Sequence, residues 1–287
     1  PLLIRFTTDG RNVYMHQIQH INTIDKNDPI APAFERNNID PVLKGFKIQA
    51  TKGDNVLIDM TAFFGTNEKC ISPIKASNPI AKLLGSSDGI KGTFQSASSG
   101  ISEVKAFENN IEIKSLLSFM TTGIIEKPYS VSMHRSFFVL PEEPMSIRLQ
   151  DNRVGYFYNN KSVFSSDADR IEEKNYINRW RLEPKPEDRE KYFNGELVEP
   201  QKPIVFYVDS AFPDKWRNTI KEGIEVWNQA FETAGFKNAI VAKDYPKNDS
   251  IFDPDDMQYS CFRYVGTNTA NAMGPSYTDP RTGEILS

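Results

Sequence analysis

Short runs of alternating apolar and polar residues fill the first half of the chain, and this period predicts β-strands with one buried face. The predicted strands are Arg11–Ile21, Leu43–Ala50, Asn55–Thr61, Ser102–Phe107, Asn110–Thr121 and Ser130–Leu140. Gly53 and Asp54 stand between two of these runs and predict a hairpin. The Ser- and Gly-rich stretch 86–100 predicts a loop or a wide turn. We therefore expect residues 1–150 to form an antiparallel β-rich domain, either a sandwich or a partly open barrel.

The pattern changes after a polar connecting segment, residues 151–200, in which Ser165–Asn175 is expected to be a short helix. Apolar runs then predict three buried strands at Pro203–Asp209, Ala239–Tyr245 and Tyr259–Val265. A helical pattern at Asp214–Ala234 separates the first two of them. Strands followed by a strand–helix–strand order indicate an α+β fold, with an α/β domain in residues 201–287.

The predicted helix at Asp214–Ala234 carries an apolar stripe that includes Trp216 and Trp227. Its apolar residues recur at the three- and four-residue spacing of one helix face. Gly235 suits the left-handed position that often ends a helix, with Phe236 as the apolar contact that follows. We expect the two tryptophans to pack across the sheet formed by the flanking strands.

Composition excludes some classes of protein. The net charge is −4, so nucleic acid is not an expected partner, because phosphate binding needs a concentrated basic face. No apolar run approaches the roughly 20 residues of a membrane span, and no signal peptide is visible. Cys70 and Cys261 are too few for a disulfide scaffold and are expected to be buried free thiols.

Histidine spacing offers one metal-site pattern, HQIQH at residues 16–20. Zinc peptidases place two His four residues apart on a helix, with a Glu between them as the general base. Here Gln17 holds that position and cannot accept a proton, and the surrounding run has the period of a strand. A structural or surface role is therefore favoured for His16 and His20. His134 stands alone in a predicted strand and is expected to be a hydrogen-bonded histidine of an edge.

Two further stretches have more than one interpretation. Asp253, Asp255 and Asp256 could supply oxygen ligands to Ca²⁺, although a solvated acidic turn is the favoured interpretation. Ala272–Tyr277 contains Gly274 and Pro275, which a central strand does not tolerate. It is therefore expected to be an edge strand or a loop, and an edge strand can accept an extended peptide.

Several segments carry a family resemblance. They are FKIQA at 46–50, VLIDMT at 56–61, AFENNIEI at 106–113, LPEEPM at 140–145, DNRVGYF at 151–157, PIVFYVD at 203–209, GIEVWN at 223–228, AFETAGFKNAI at 230–240, AMGPS at 272–276 and DPRTGEIL at 279–286. These segments resemble a family of large bacterial zinc-dependent metalloproteases, which are similar to metzincins and carry a β-rich N-terminal domain of unknown function. DPRTGEIL, together with the helix before it, is the most specific part of the likeness.

The resemblance implies that residues 201–287 are the truncated upper half of a metzincin-like catalytic domain. In that family three His of an HExxHxxGxxH segment bind zinc, and its Glu activates the water that attacks the peptide bond. The segment would follow this chain in the full protein. We therefore expect the fragment to be inactive, with no catalytic residue, no metal ligand and no cofactor of its own.

The resemblance also implies a polypeptide substrate and a secreted, periplasmic or cell-surface location. In metzincin-like folds the edge strand before the zinc helix pairs antiparallel with substrate. The matching residues here are Ala272, Met273, Gly274, Pro275, Ser276 and Tyr277.

Two alternatives remain open. Residues 1–150 could be a binding or inhibitory module that covers the cleft or holds a polymeric substrate, with Cys70 as a conceivable zinc-blocking thiolate. The whole chain could instead belong to a structural or cell-surface protein without catalysis.

Overall fold

A computed structural model describes residues 2–72, 92–121, 125–267 and 271–287. The fold is α+β, with 37% of residues in strands and 17% in helices, which confirms the expected class. None of the described helices combines the length and the apolar character that a membrane crossing requires.

The regular elements are short and mostly strands. The strands are β1 (Ile4–Thr8), β2 (Asn12–Gln17), β3 (Asn22–Ile24), β4 (Val42–Lys52), β5 (Asn55–Ile58), β6 (Gly92–Phe94), β7 (Gly100–Ala106), β8 (Asn110–Thr121), β9 (Pro128–Phe138), β10 (Tyr158–Phe164), β11 (Glu172–Ile177), β12 (Ile204–Val208), β13 (Ile240–Asp244) and β14 (Ser260–Phe262). The α-helices are α1 (Ala31–Asn37), α2 (Thr61–Gly65), α3 (Arg189–Phe193), α4 (Asp214–Glu225) and α5 (Asn228–Thr233).

The chain forms two compact units whose segments alternate along the sequence. The first unit consists of Leu2–Gln19 and Arg36–Val139, and the second contains His20–Glu35 and Leu140–Ser287. The consecutive domains expected from the sequence, with boundaries after residues 150 and 200, stay a prediction.

Two antiparallel sheets build the first unit. One has the strand order β1-β2-β4-β5. In the other, β8 pairs with β9 along one edge and with β6 and β7 along the opposite edge. The predicted hairpin is confirmed, because Lys52 pairs with Asn55 and Gly53 between them adopts a φ of 59°. Glycine tolerates this left-handed conformation, which a short turn between twisted strands requires.

Both sheets of the first unit contribute to one hydrophobic core. Met15 and Phe46 come from the first sheet, Ile113 from the second, and Phe63 and Phe64 from α2. The ring of Phe63 meets those of Phe46 and Phe64 edge to face, with centroid distances of 5.7 and 5.0 Å. Both sheets and α2 therefore share one core, and the expected choice between a sandwich and a partly open barrel stays a prediction.

The second unit contains two three-stranded sheets. In one, β10 pairs antiparallel with β11 and parallel with β3. In the other, β12 is central and runs parallel to both β13 and β14. Helices α4 and α5 connect β12 to β13, since parallel neighbours need a crossover rather than a tight turn. The three predicted strands of this region are therefore present, although β14 is shorter than Tyr259–Val265.

The single helix expected at Asp214–Ala234 is divided into α4 and α5 by Val226 and Trp227. The expectation that both tryptophans cover the sheet is wrong, because Trp216 is 46% exposed and Trp227 is 62% exposed. The expected end of the helix is correct: Gly235 has a φ of 92°, and Phe236 after it is buried.

Polar contacts explain which side of α4 and α5 faces the sheet. Asn228 donates to the backbone oxygen of Ile240 (2.8 Å) and accepts from its N–H (3.1 Å). One turn earlier, Glu225 accepts from the N–H of Ala242 at 3.0 Å. These bonds tie one helix side to β13, and the tryptophans lie on another side. The expected apolar stripe is therefore wrong for the two tryptophans, whereas its members Ile220, Ile224 and Phe231 are half-buried.

Two local expectations also differ from the structure. Ser165–Asn175 is not a helix, because β11 begins at Glu172 and pairs with β10. In the stretch 86–100, residues 86–91 lie outside the described part of the chain, and Gly92–Phe94 forms β6 rather than a loop. In both cases, hydrogen bonding to a neighbouring strand determines the local structure.

Candidate functional site

The chain ends in a hairpin that follows the predicted substrate-binding residues. Thr278 pairs antiparallel with Ile285 across the turn formed by Asp279–Gly283. Tyr277 receives a backbone hydrogen bond from Leu286 (2.8 Å) and donates one to Ser287 (3.1 Å). The hairpin, Tyr277–Ser287, therefore has two hydrogen-bonded arms.

The second arm of the hairpin also pairs with an earlier segment of the second unit. The N–H of Ile285 donates to the oxygen of Arg179 at 2.9 Å, and the N–H of Arg179 donates to the oxygen of Gly283 at 3.0 Å. The bridge between Arg179 and Glu284 is parallel. The hairpin is thus anchored by backbone bonds on the segment that follows β11.

Asp279 fixes the turn from a fully buried position. Its carboxylate accepts the backbone N–H of Arg281 at 2.8 Å and two guanidinium nitrogens of the same residue, one of them at 2.7 Å. The carboxylate raises the pKa of Arg281 by accepting this hydrogen bond. Arg281 donates further to the oxygen of Pro141 at 2.7 Å, so the ion pair links two distant parts of the sequence.

Glu284 forms a second ion pair on the opposite side of the turn. Arg181 donates from Nε (2.8 Å) and from Nη2 (2.6 Å) to the two oxygens of this buried carboxylate. The same nitrogen, Nη2, also donates to the oxygen of Glu143 at 2.7 Å. The pKa of Arg181 is raised chiefly by its hydrogen bond to Glu284. A two-pronged arginine–carboxylate pair restricts orientation as well as distance.

Gly283 allows the turn to approach the end of β11 closely. Its φ is 81°, a left-handed conformation. A Cβ at this position would collide with the backbone oxygen of Ile177. The glycine of DPRTGEIL is therefore required by both conformation and space.

Lys161 of β10 lies close to this network and is only 2% exposed. Its Nζ donates to the oxygen of His20 at 2.5 Å and lies 5.8 Å from the ring centre of Tyr176. Burial lowers the pKa of Lys161 to about 8, and the charge of Asp279 opposes part of that change. The ammonium group is thus costly to bury and has a carboxylate in its surroundings.

The residues predicted to bind substrate, Ala272–Tyr277, are all exposed, and we call them the ribbon. The side chain of Met273 is 81% exposed. Within the described part of the chain, residues 272–276 belong to no strand and make no backbone–backbone hydrogen bond, whereas Tyr277 belongs to the hairpin. The ribbon leads directly into the hairpin, and its role in substrate binding stays a prediction.

Comparison with known proteins places the chain in a family. The family described as "Domain of unknown function (DUF5117)" matches residues 1–185. The chain belongs to the DUF5117 family. No curated protein and no solved structure matches it. The DUF5117 match covers the first unit and β10 and β11 of the second, and the hairpin and the ribbon lie beyond it.

The histidines of this DUF5117 chain lie among ordinary polar partners. His16 Nε2 is 2.8 Å from the Thr7 hydroxyl, and His134 Nε2 is 2.7 Å from Glu112 Oε2. Among the described residues, no three His, Cys, Asp or Glu side chains come together with metal-binding geometry. These residues do not fit a zinc centre, so no chemical step in this chain is assigned to zinc.

The acidic turn near residue 255 is a closed network. Asp253 accepts the N–H of Asp255 at 2.8 Å, Asp255 pairs with Arg263 at 3.1 Å, and Asp256 accepts the N–H of Gln258 at 3.0 Å. The expectation of a solvated turn is wrong, because Asp255 and Asp256 are buried. Their partners offset the loss of water, and neither residue needs a cation for that purpose.

Both cysteines are free, but the expectation of burial is wrong for Cys70, which is exposed. Its pKa is raised by desolvation of the sulfur and by the nearby charge of Glu68. Cys261 is half-buried, and burial raises its pKa as well. A raised pKa keeps a thiol protonated at neutral pH, which disfavours Cys70 as a thiolate ligand.

Several residues around the hairpin were not found from the sequence. Arg181 and Glu284 are 103 positions apart, Lys161 and His20 are 141 positions apart, and no motif connects them. DPRTGEIL was recognised as specific, but its Asp and Glu were not recognised as buried ion-pair partners.

Proposed function

We propose that the chain serves a zinc-dependent metallopeptidase as the part that holds the polypeptide substrate. The observation that carries the proposal is the exposed ribbon, Ala272–Tyr277, and its direct connection to the hairpin. Residues 272–276 make no backbone–backbone hydrogen bond within the described part of the chain, and such groups on an exposed segment can pair with an extended peptide. In this proposal the zinc ligands come from residues outside the chain.

The buried ion pairs fix the hairpin to which the ribbon is joined. Asp279 with Arg281 and Glu284 with Arg181 restrict the hairpin, so less conformational entropy is lost when a peptide pairs beside it. Met273 and Tyr277 offer exposed side chains for contact with the peptide. Bound zinc would supply the activated water in such an enzyme.

The resemblance of DPRTGEIL and of the preceding helix supports this proposal, as does the order β12, α4, β13, β14. The exposed tryptophans give it no support, since the expected packing of that helix is wrong. A secreted, periplasmic or cell-surface location belongs to the same proposal and rests on the resemblance alone.

Peptide binding to the chain tests the role of the ribbon. Ala272→Pro and Ser276→Pro each remove one backbone donor on the same side of an extended segment, whereas Ala272→Ser and Ser276→Ala keep it. We expect fluorescence anisotropy with extended peptides to show about fivefold to tenfold weaker binding for the proline variants, the cost of about one hydrogen bond. The alanine variant at position 276 should match the original protein.

Equal binding by the proline variants and by their controls, Ala272→Ser and Ser276→Ala, would contradict the role of the ribbon. The peptidase assignment has a separate test in the full gene product. We expect it to hydrolyse peptides, to lose this activity with a chelator and to recover it with Zn²⁺. Activity that a chelator leaves unchanged would contradict the assignment to zinc peptidases.

A further inference from the structure

Strand β9 is a long outer strand of the first unit. It pairs with β8 through eleven consecutive residues without a shift in register. On its other side, no strand among the described residues is hydrogen-bonded to it. An outer strand of this length presents a row of backbone donors and acceptors.

The register shows which residues carry these groups. Backbone bonds join Thr121 to Lys127 and Val139 to Asn109, at the two ends of the β8–β9 pair. Hydrogen-bonded pairs alternate along an antiparallel ladder, so odd-numbered residues of β9 bond to β8. The even-numbered residues Ser130, Ser132, His134 and Ser136 therefore direct their N–H and C=O groups to the outer side.

The features that usually prevent an outer strand from pairing with another chain, namely proline, bulges and outward charges, are absent from most of β9. Proline occurs only at its first residue, Pro128, and the pair with β8 has no bulge. Arg135 is the one side chain in the strand with a fixed charge, and it bonds inward to the oxygen of Phe64 and the hydroxyl of Ser115. Three of the four residues with outward-directed backbone groups are serines, and their small side chains leave room for another strand.

We propose that this outer side of β9 pairs antiparallel with β9 of a second copy of the chain, with the two-fold axis at Met133. This register aligns the full length of both strands and makes hydrogen-bonded pairs of outward-directed residues. Ser132 then faces His134 of the second copy, and Ser130 faces Ser136 of the second copy. Between Ser130 and Ser136 the ladder would contain about eight hydrogen bonds.

The side chains are self-complementary in this register. Tyr129 faces Phe137 of the second copy, and aromatic pairs across strands are favourable. Arg135 faces Val131 of the second copy, so the two guanidinium groups are not opposed. A register centred on His134 would instead place two histidines opposite each other. The chemistry of β9 therefore favours the second copy over an unrelated strand.

Sedimentation equilibrium of the whole chain tests the proposal. Ser132→Pro removes an outward N–H, which an outer strand tolerates, while Ser132→Thr keeps it. We expect a concentration-dependent dimer for the original protein and for Ser132→Thr, and at least about tenfold weaker association for Ser132→Pro. Ser132→Lys leaves the backbone unchanged, adds a charge to the interface and should also weaken the dimer if the proline variant fails to fold.

Cross-linking tests the register. Residues at a two-fold axis in a non-hydrogen-bonded pair lie close enough for a disulfide, so Met133→Cys should form an intermolecular disulfide on oxidation. Val131→Cys is the control, because it faces Arg135 of the second copy. A monomer at every concentration, or a dimer unaffected by both Ser132→Pro and Ser132→Lys, would overturn the proposal. A cross-link at residue 131 rather than 133 would overturn the register.

Discussion

Gly283 shows how one missing side-chain carbon allows two segments to meet. Its left-handed conformation turns the chain, and its bare Cα lets the turn contact the backbone of Ile177. Gly223 is a useful contrast, because it lies inside α4 with no atom within 4 Å of the position of a Cβ. The same substitution should therefore have opposite effects at these two positions.

We expect Gly283→Ala to lower the free energy of unfolding by about 2–4 kcal/mol, because it combines an unfavourable φ with a collision. Gly223→Ala should raise it by about 0.5–1 kcal/mol, because alanine is the better helix former. Urea denaturation measures both changes. Equal effects of the two substitutions would contradict the role assigned to Gly283.

Lys161 connects the stability of the protein to pH. Its pKa is lowered to about 8 by burial, whereas an unfolded lysine has a pKa of about 10.4. Between these values the unfolded chain binds more protons at this residue than the folded chain. By linkage, the free energy of unfolding should gain a positive contribution as pH rises through this window.

Lys161→Met removes this contribution and keeps a side chain of similar length. We expect the free energy of unfolding of the original protein, relative to that of the variant, to rise between about pH 8 and about pH 10.4. Urea denaturation at several pH values measures the difference. A constant difference across the window would show that the buried lysine does not titrate there.

At the scale of elements, polar contacts orient α4 and α5 more specifically than their apolar residues do. Lys221, Glu225 and Asn228 lie about one turn apart and bond to every second residue of β13, namely Asp244, Ala242 and Ile240. Their spacing matches one side of a helix, and the alternate residues of the strand match their partners. Within the expected apolar stripe, Trp216 and Trp227 are largely exposed to solvent, whereas Ile220, Ile224 and Phe231 are half-buried.

Substitutions on the two sides of this helix pair test that orientation. Asn228→Ala should lower the free energy of unfolding by about 1–3 kcal/mol, because it leaves the N–H and C=O of Ile240 without their partners. Trp227→Gln should change it by less than about 0.5 kcal/mol, as is usual for an exposed position. Thermal or urea unfolding gives both values, and a larger loss for Trp227→Gln would reverse the assignment of faces.

Sequence patterns predicted the strands well where one face is apolar. The bounds of β8, Asn110–Thr121, agree with the prediction, and β12 and β13 differ from theirs by a residue at each end. The predictions failed where pairing with a distant strand determines the local structure. Glu172–Asn175 is polar and was expected to be helical, but it pairs with β10. A local pattern contains no information on such distant neighbours.

The hairpin was predictable as a turn but not as a buried network. The Asp279-Pro280-Arg281-Thr282-Gly283 sequence has the composition of a turn, and its glycine indicates a left-handed residue. Burial of Asp279 depends on Arg281, which in turn contacts Pro141. Carboxylates and arginines are normally exposed, so composition predicts the opposite environment.

At the scale of the whole molecule, the second unit depends on a segment near the start of the chain. Strand β3 pairs with β10, and the ring of Phe34 lies 5.1 Å from that of Phe164. His20 accepts the hydrogen bond of Lys161 as well. Removal of residues 1–150 would therefore take away part of the sheet and part of the core of the second unit.

We expect a fragment of residues 140–287 to bind the dye ANS and to lack a cooperative thermal transition, because β10 and Phe164 lose their partners. The control is His20–Glu35 joined by a flexible linker to Leu140–Ser287, which restores β3 and Phe34. Differential scanning fluorimetry compares the two fragments. A cooperative transition of equal midpoint in both would show that residues 20–35 are dispensable.

The pairing of Asn22 with Ser162 has a consequence for synthesis of the chain on the ribosome. The two strands are separated by about 140 residues, which take roughly 7–30 s to translate at the usual rates. During that interval β3 has no β10 to pair with, and the nascent polypeptide must keep this early strand from aggregating. Slow codons or chaperones that act within this time window should influence the yield of native protein more than those acting later.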